Sequence, residues 1–213
     1  MKSDMVVRFP ARRVVTGALA LLLTGTTMMA VSRAQSATSL PLALNSARVS
    51  LAGTSNIHDY TASTSTVRLT SAQLARPLAG AAGLDEILAP GTIGAFDVTV
   101  PATSLVSDKD GLNKNMHKAL LADKHPDILF RLARLEAGAA GSLKAIGTLR
   151  VAGKEREMAF TLETEPQASA LRITGQTDLL MTDYGITPPK AMLGMLKTHP
   201  KVTITFEALL ALQ

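Results

Sequence analysis

The stretch LKAIGTLRVAGKEREMAFTLETEPQASALRITGQTDLL, Leu143–Leu180, decides the fold. Its small and apolar residues fall at every second position. In the first segment they are Leu143, Ala145, Gly147, Leu149 and Val151, set against Lys144, Thr148 and Arg150, with Ile146 the one exception. Gly153-Lys154 turns the chain, and Met158, Phe160 and Leu162 then alternate with Ala159, Thr161 and Glu163. After Pro166-Gln167 the beat returns in Leu171, Ile173, Gly175, Thr177 and Leu179 against Arg172, Thr174, Gln176 and Asp178. A period of two gives each strand one dry face and one wet face. Connections this short make the neighbours antiparallel.

The same pattern continues on both sides. Val202, Ile204, Phe206, Ala208 and Leu210 face one way in a final strand, with Lys201, Thr203, Thr205 and Glu207 on the other side. Ile93 to Val100 places Phe96, Val98 and Val100 on one face, and Ile128, Phe130 and Leu132 begin another strand. Leu42 to Leu51 reads as the first strand, its apolar phase slipping near Ser46 as at a bulge. Thr61 to Leu69 is Thr/Ser-rich and β-branched enough to read as one strand, exposed to water. Ser71 to Ala89 holds one or two short helical turns around Leu74, Leu78, Leu84, Ile87 and Leu88, broken by Gly80 and Gly83 and ended by Pro90-Gly91. Leu112, Met116, Ala119 and Leu120 recur at helical spacing, which predicts a helix over Gly111–Ala122 that His125-Pro126 stops. Met181 to Pro200 is irregular.

The count is about eight strands and one good helix, an all-β domain. Such strands cover their apolar face either by stacking two sheets or by closing one into a barrel. About eight strands make the smallest barrel able to hold a small ligand. Aromatics are only 3% of the chain, so large fillers are scarce and come chiefly from Phe96, Phe130, Phe160 and Phe206.

The first part of the 213 residues is not part of this fold. Lys2, Arg8, Arg12 and Arg13 precede an apolar run from Val14 to Val31, and Ser32-Arg33-Ala34 ends it with small residues. This predicts a secretory signal peptide over residues 1–34, cut after Ala34, and a domain over 35–213 in the periplasm. Arg12-Arg13 also fits twin-arginine export. Of 22 Lys/Arg and 17 Asp/Glu, the leader holds Lys2, Arg8, Arg12, Arg13, Arg33 and Asp4, which leaves 17 against 16. The basic precursor is therefore no sign of nucleic-acid binding. With the leader gone, no segment remains for stable membrane insertion, and a homodimer is left open. There are no cysteines, so neither disulfides nor thiolate zinc sites hold the domain together.

Catalytic constellations are sparse. No Gly-x-Ser-x-Gly elbow and no Cys nucleophile exist. The four histidines, His58, His117, His125 and His199, show no His-x-x-x-His pair, and no metal site is expected. Asp108-Lys109-Asp110-Gly111 has the wrong spacing for a calcium loop and lacks its final Glu. His58-Asp59 could pair a base with an orienting carboxylate; a hydrogen-bonded turn is the plainer reading.

Four stretches together resemble the YceI-like family of exported bacterial proteins. They are Gly53–Tyr60 (GTSNIHDY), Met116–Phe130 with His125-Pro126-Asp127-Ile128-Leu129-Phe130, Gly147–Arg156 (GTLRVAGKER) and Asp183-Tyr184-Gly185-Ile186. Their order and spacing suit the family across nearly the whole of residues 35–213, although Tyr60 stands where Trp is expected. The resemblance implies a lipocalin-like antiparallel β-barrel that holds a long apolar chain, a polyisoprenoid or isoprenoid quinone, in a tunnel. It implies a non-enzymatic carrier that needs no cofactor, with the lipid or quinone as its only small-molecule partner. An envelope hydrolase or isomerase using His58 and Asp59, and a stress-related interaction module with a filled barrel, are the alternatives. Under the carrier reading the tunnel is lined by Phe96, Phe130, Phe160, Leu162, Leu179, Ile204 and Phe206, then by Met181, Met192 and Met195. Arg131, Arg134, His58 and Tyr184 are candidates to meet a head group. Each buried methylene contributes about 0.8 kcal/mol, so ten or so suffice for roughly micromolar binding without any catalytic or polar machinery.

Overall fold

The computed structural model describes residues 42–76, 83–167, 170–191, 193 and 195–212. The leader, the tail to Pro41, Leu78, Gly80 and Met192 lie outside the described residues.

Among the described residues ten strands form one antiparallel sheet: β1 Leu42–Ser55, β2 Asp59–Thr64, β3 Arg68–Leu74, β4 Ile93–Pro101, β5 Asp127–Ala137, β6 Leu143–Val151, β7 Lys154–Gln167, β8 Ala170–Leu180, β9 Lys190–Ala191 and β10 Leu196–Leu212. Their order is β2-β1-β10-β8-β7-β6-β5-β4-β3, with β9 paired to β10 alone. The stretch Leu143–Leu180 forms the consecutive hairpins β6-β7-β8. The β6–β7 turn is Ala152-Gly153, one residue earlier than the sequence suggests, and both residues have positive φ as a two-residue hairpin turn needs. β10 returns to lie between β8 and β1, so the last strand joins the two ends of the chain in one curled sheet.

Three elements differ from the sequence reading. Thr61–Leu69 is not one strand: Thr64 Oγ1 accepts the Thr66 N–H at 2.9 Å, and Ser65-Thr66-Val67 turns the chain from β2, one edge of the sheet, to β3, the other. No ladder joins β2 to β3 among the described residues. The free edge of β2 is met instead by Val106, through reciprocal Ser63–Val106 backbone bonds of 2.9 and 3.1 Å. Second, β10 begins at Leu196, inside the stretch that reads as irregular. Pro200, which has no N–H to donate, sits where the β1–β10 register shifts between Gly53 and Ser55. Third, α2 Asp110–Ala119 is shorter than the sequence suggests, whereas α1 Leu84–Leu88 is one of the expected short helical turns. α2 ends before Ala122 because Leu121 takes φ +53, and its carbonyl then accepts the Lys124 and His125 N–H groups. The expected slip near Ser46 is a register shift between Leu44 and Ser46.

α1 and α2 serve opposite ends of the sheet. At the α2 end, Met116 and Leu120 pack with Leu105, Val151, Tyr184 and Ile186. At the α1 end, Ile87 and Leu210 are fully or nearly fully buried and meet Leu44, Leu74, Phe96 and Ile173. A third cluster, Leu135, Ala145, Phe160 and Leu162, lines the wall between them with Phe130 and Phe206 against it. The apolar core is thus divided among the two ends and one wall. The outer face is charged, with cross-strand pairs such as Arg172–Glu207 at 2.9 Å and Lys201–Asp178 at 2.7 Å.

Candidate functional site

Between the two ends lies a cavity of about 600 Å3, lined predominantly by carbon. Its size falls within the range of pockets that enclose small-molecule ligands. Strand register explains the lining. Val202 pairs with Leu179, Ile204 with Thr177, Phe206 with Gly175 and Ala208 with Ile173, so the inward side chains of β10 and β8 stand side by side. Opposite them, Val98 pairs with Phe130 and Phe130 with Leu149. All of these but Gly175 line the cavity.

Small residues keep that wall thin. Gly147 and Gly175 face inward, and aromatic rings occupy the space their side chains would need. A Cβ on Gly147 would stand 2.7 Å from the Phe130 ring, and one on Gly175 would fall almost on the Phe206 ring. With the rings so placed, Phe130 and Phe160 meet edge to face at 4.9 Å, as do Phe160 and Phe206 at 5.6 Å. The aromatic side chains therefore stack upon the wall and upon each other, and the space in front of them stays open.

Of the residues expected to line a tunnel, Phe96, Phe130, Phe160, Leu162, Leu179, Met181, Ile204 and Phe206 line this cavity. Met195 does not: it is 63% exposed, on the β9–β10 hairpin beside the fully exposed Leu193. The head-group candidates divide in the same way. Arg131 lies on the outer face 3.6 Å from Asp97, and Arg134 is held by Glu136 at 2.8 Å, so neither borders the cavity. Alternation dictates this, since their neighbours Phe130, Leu132 and Leu135 point inward. His58 and Tyr184 do border it.

Tyr60 is a cavity residue that the sequence reading did not select. It pairs with Gly53 across the β1–β2 hairpin, and its hydroxyl lies over Gly53, where any side chain would collide with it. That hydroxyl is buried and has no hydrogen-bond partner among the described residues. Burial also pushes its pKa above the ordinary tyrosine value. Tyr184 is pushed up too, by burial first and then by the Asp183 carboxylate, with Arg156 opposing.

The histidines have structural partners or none. His117 Nε2 lies 2.7 Å from the Leu105 carbonyl and ties α2 to the segment after β4. His199 Nδ1 lies 2.9 Å from Thr54 Oγ1. The turn at Ser55–His58 is closed by Ser55, whose N–H and hydroxyl both donate to the His58 carbonyl. The imidazole of His58 bonds to no carboxylate among the described residues, Asp59 included. Those residues contain no cluster of His, Asp and Glu able to hold a metal ion.

The sequence pattern of the YceI-like domain matches residues 35–210. The chain belongs to the YceI-like domain family. Among solved structures, this YceI-like domain is similar in fold to BcnA of Burkholderia cenocepacia, with a TM-score of 0.60 at 12% identity over 78% of this chain and 96% of that one. It is also similar to a polyisoprenoid binding domain from Saccharophagus degradans implicated in plant cell wall breakdown, with a TM-score of 0.57 at 13% identity over 82% and 99% of the two chains. At such identities the likeness is one of fold. No curated protein matches the chain. No helix among the described residues of the YceI-like domain is long and apolar enough to cross a membrane.

Proposed function

We propose that this protein is an exported, non-catalytic carrier that encloses a long apolar molecule, a polyisoprenoid or isoprenoid quinone, in the cavity between α1 and α2. One observation carries the reading: an apolar void of about 600 Å3 in the middle of the sheet, where a domain without a ligand would place its core. At about 30 Å3 per carbon-sized group, such a void holds about twenty groups. That is about four isoprene units, and a longer chain would leave its remainder outside. The Saccharophagus degradans domain of the same fold, a polyisoprenoid binding domain, supports the ligand class. The domain begins, on the family match, at residue 35, directly after Ala34, which supports cleavage there and release of the domain into the periplasm.

The physics is that of solvent transfer. A chain of about twenty carbons removes enough surface from water to outweigh the loss of its freedom, at about 0.8 kcal/mol per methylene. No reacting group is required. The test is native mass spectrometry of protein taken from a periplasm, followed by uptake of added decylubiquinone by stripped protein. An apolar adduct of stoichiometry one is expected. Protein that is always free of adduct and takes up no quinone would remove the carrier reading.

A further inference from the structure

We propose that two adjoining turns at the α2 end dock this protein on the surface of an anionic lipid bilayer, with Ile57, Leu193 and Met195 in the interface and Lys190 and Lys197 against the lipid phosphates. The proposal goes beyond the carrier reading and stands on the outer surface of the protein. The first observation is where the exposed apolar side chains sit. Leu193 is fully exposed, Met195 63% and Ile57 55%, the three highest values among the large apolar residues described. Ile57 stands on the β1–β2 turn, and the other two stand on the β9–β10 turn. Asn56 ties these turns together. Its side-chain amide donates to the Met195 carbonyl at 2.8 Å, its side-chain oxygen accepts the Lys197 N–H at 2.7 Å, and its own N–H donates to the Lys197 carbonyl at 3.1 Å. A turn in water ordinarily carries Gly, Asn or Asp at a left-handed position. Here Leu193 takes φ +55, a conformation its Cβ disfavours. Neither the strain nor the exposure helps the fold, and both have a use where the tip meets an apolar phase.

The second observation is the charge behind these tips. Lys190 and Lys197 are direct cross-strand partners in the β9–β10 ladder, and both are exposed. Like charges directly opposite destabilise a strand pair. Neither lysine is ion-paired among the described residues. The two turns, residues 55–59 and 190–197, carry these lysines against one carboxylate, Asp59. An anionic surface relieves that repulsion. Apolar tips with ammonium groups behind them match the layering of a bilayer, in which phosphates overlie the acyl boundary and long lysine side chains extend back to reach them. Three side chains and two charges give reversible attachment rather than anchoring. The same turns also frame the cavity: Ser55, His58, Lys190, Leu196 and Thr198 border it. Docking sets that rim against the bilayer, so an apolar molecule passes between the two without crossing water.

The test is flotation with large unilamellar vesicles, one set of phosphatidylglycerol mixed with phosphatidylcholine and one of phosphatidylcholine alone. Protein is taken from a periplasm, with removal of residues 1–34 confirmed by intact mass. Wild type is expected to float with the anionic vesicles, to bind the neutral ones more weakly, and to be released as salt is raised. The double change Leu193→Ser and Met195→Ser should weaken binding to anionic vesicles about ten-fold, and Lys197→Gln about five-fold. Neither variant should melt below wild type, because the altered side chains are exposed. Decylubiquinone uptake by the double serine variant should equal that of wild type, since neither residue lines the cavity. Absence of wild-type flotation, equal flotation of the double serine variant, or equal binding to both sets of vesicles overturns the proposal. Self-association of wild type in sedimentation, lost in the double serine variant and without vesicle binding, gives the patch to a second copy and overturns it too. Docking without quinone uptake removes the carrier reading and leaves the docking surface; uptake without docking does the reverse.

Discussion

Ala208→Phe should shorten the ligand this protein can hold. Ala208 lies toward the α1 end of β10, two residues before Leu210, faces the cavity, and stands beside Ala47 of β1 and Ile173 of β8. The substitution adds six carbons to a void that holds about twenty such groups. A C20 chain would then bury about fourteen carbons instead of about twenty. At about 0.8 kcal/mol per methylene the loss approaches 5 kcal/mol, more than three orders of magnitude in Kd. A C10 chain still fits and loses little. Isothermal titration with n-alkyl quinones of increasing length should therefore give a wild-type affinity that climbs to about C20 and a variant affinity that levels off near C14. Thermal stability should hold or rise, because the new ring is buried in an apolar space rather than forced into a filled one. The two curves levelling off at the same length would refute the placement of the chain in the cavity, and a fall in melting temperature of several degrees would show that the space was never empty.

Met116→Ala removes the buried side chain with which α2 closes its end of the cavity, and should cost about 2–4 kcal/mol in urea denaturation. His58→Ala should leave melting temperature and quinone uptake within error of wild type, since the turn it occupies is closed by its backbone carbonyl and by Ser55; loss of binding on this change would place His58 against the ligand. Gly175→Ala places a methyl group against the Phe206 ring and close to the Thr161 carbonyl, and should lower both stability and C20 affinity as the ring is pushed inward; an unchanged melting temperature would contradict the tight wall. Tyr60 and Tyr184 have pKa values raised in the folded state, so the stability they contribute is complete below the unfolded tyrosine value and is lost as pH rises through the folded one. The melting temperature should accordingly fall above about pH 10, and less steeply in Tyr60→Phe.

The meander was legible where one face is dry and the other wet over many residues. β6, β7 and β8 announce themselves in this way, and the same alternation separates Phe130 and Leu132 inside from Arg131 outside. Where a hydroxyl competes with the ladder the pattern is blind: Thr61–Leu69 is rich in Thr and Ser, and the bond from Thr66 N–H to Thr64 Oγ1 helps divide it into the two edges of the sheet. Pro200 misled in the opposite direction, since a proline inside a strand is tolerated at the register shift opposite Gly53 and Ser55. Tyr60 was within reach. A hairpin centred on Asn56-Ile57 puts residue 60 opposite residue 53, and a large residue opposite a glycine is a reason for that glycine.

The void was the hardest feature to foresee, because inward-pointing side chains fill a sheet or line it depending on how tightly it curls. Here the two helices settle the matter by taking the bulky contacts to the ends: Met116 and Leu120 at one, Ile87 against Leu210 at the other. Between them the inward faces carry small residues such as Ala145, Gly147 and Gly175 among larger ones such as Leu132, Leu162 and Ile204, and Phe130, Phe160 and Phe206 lie along the wall. A core that leaves an open apolar space between its end clusters is a poor use of burial for stability alone. The same distribution is what an enclosed chain requires, since the end clusters hold the sheet curled whether or not the middle is occupied.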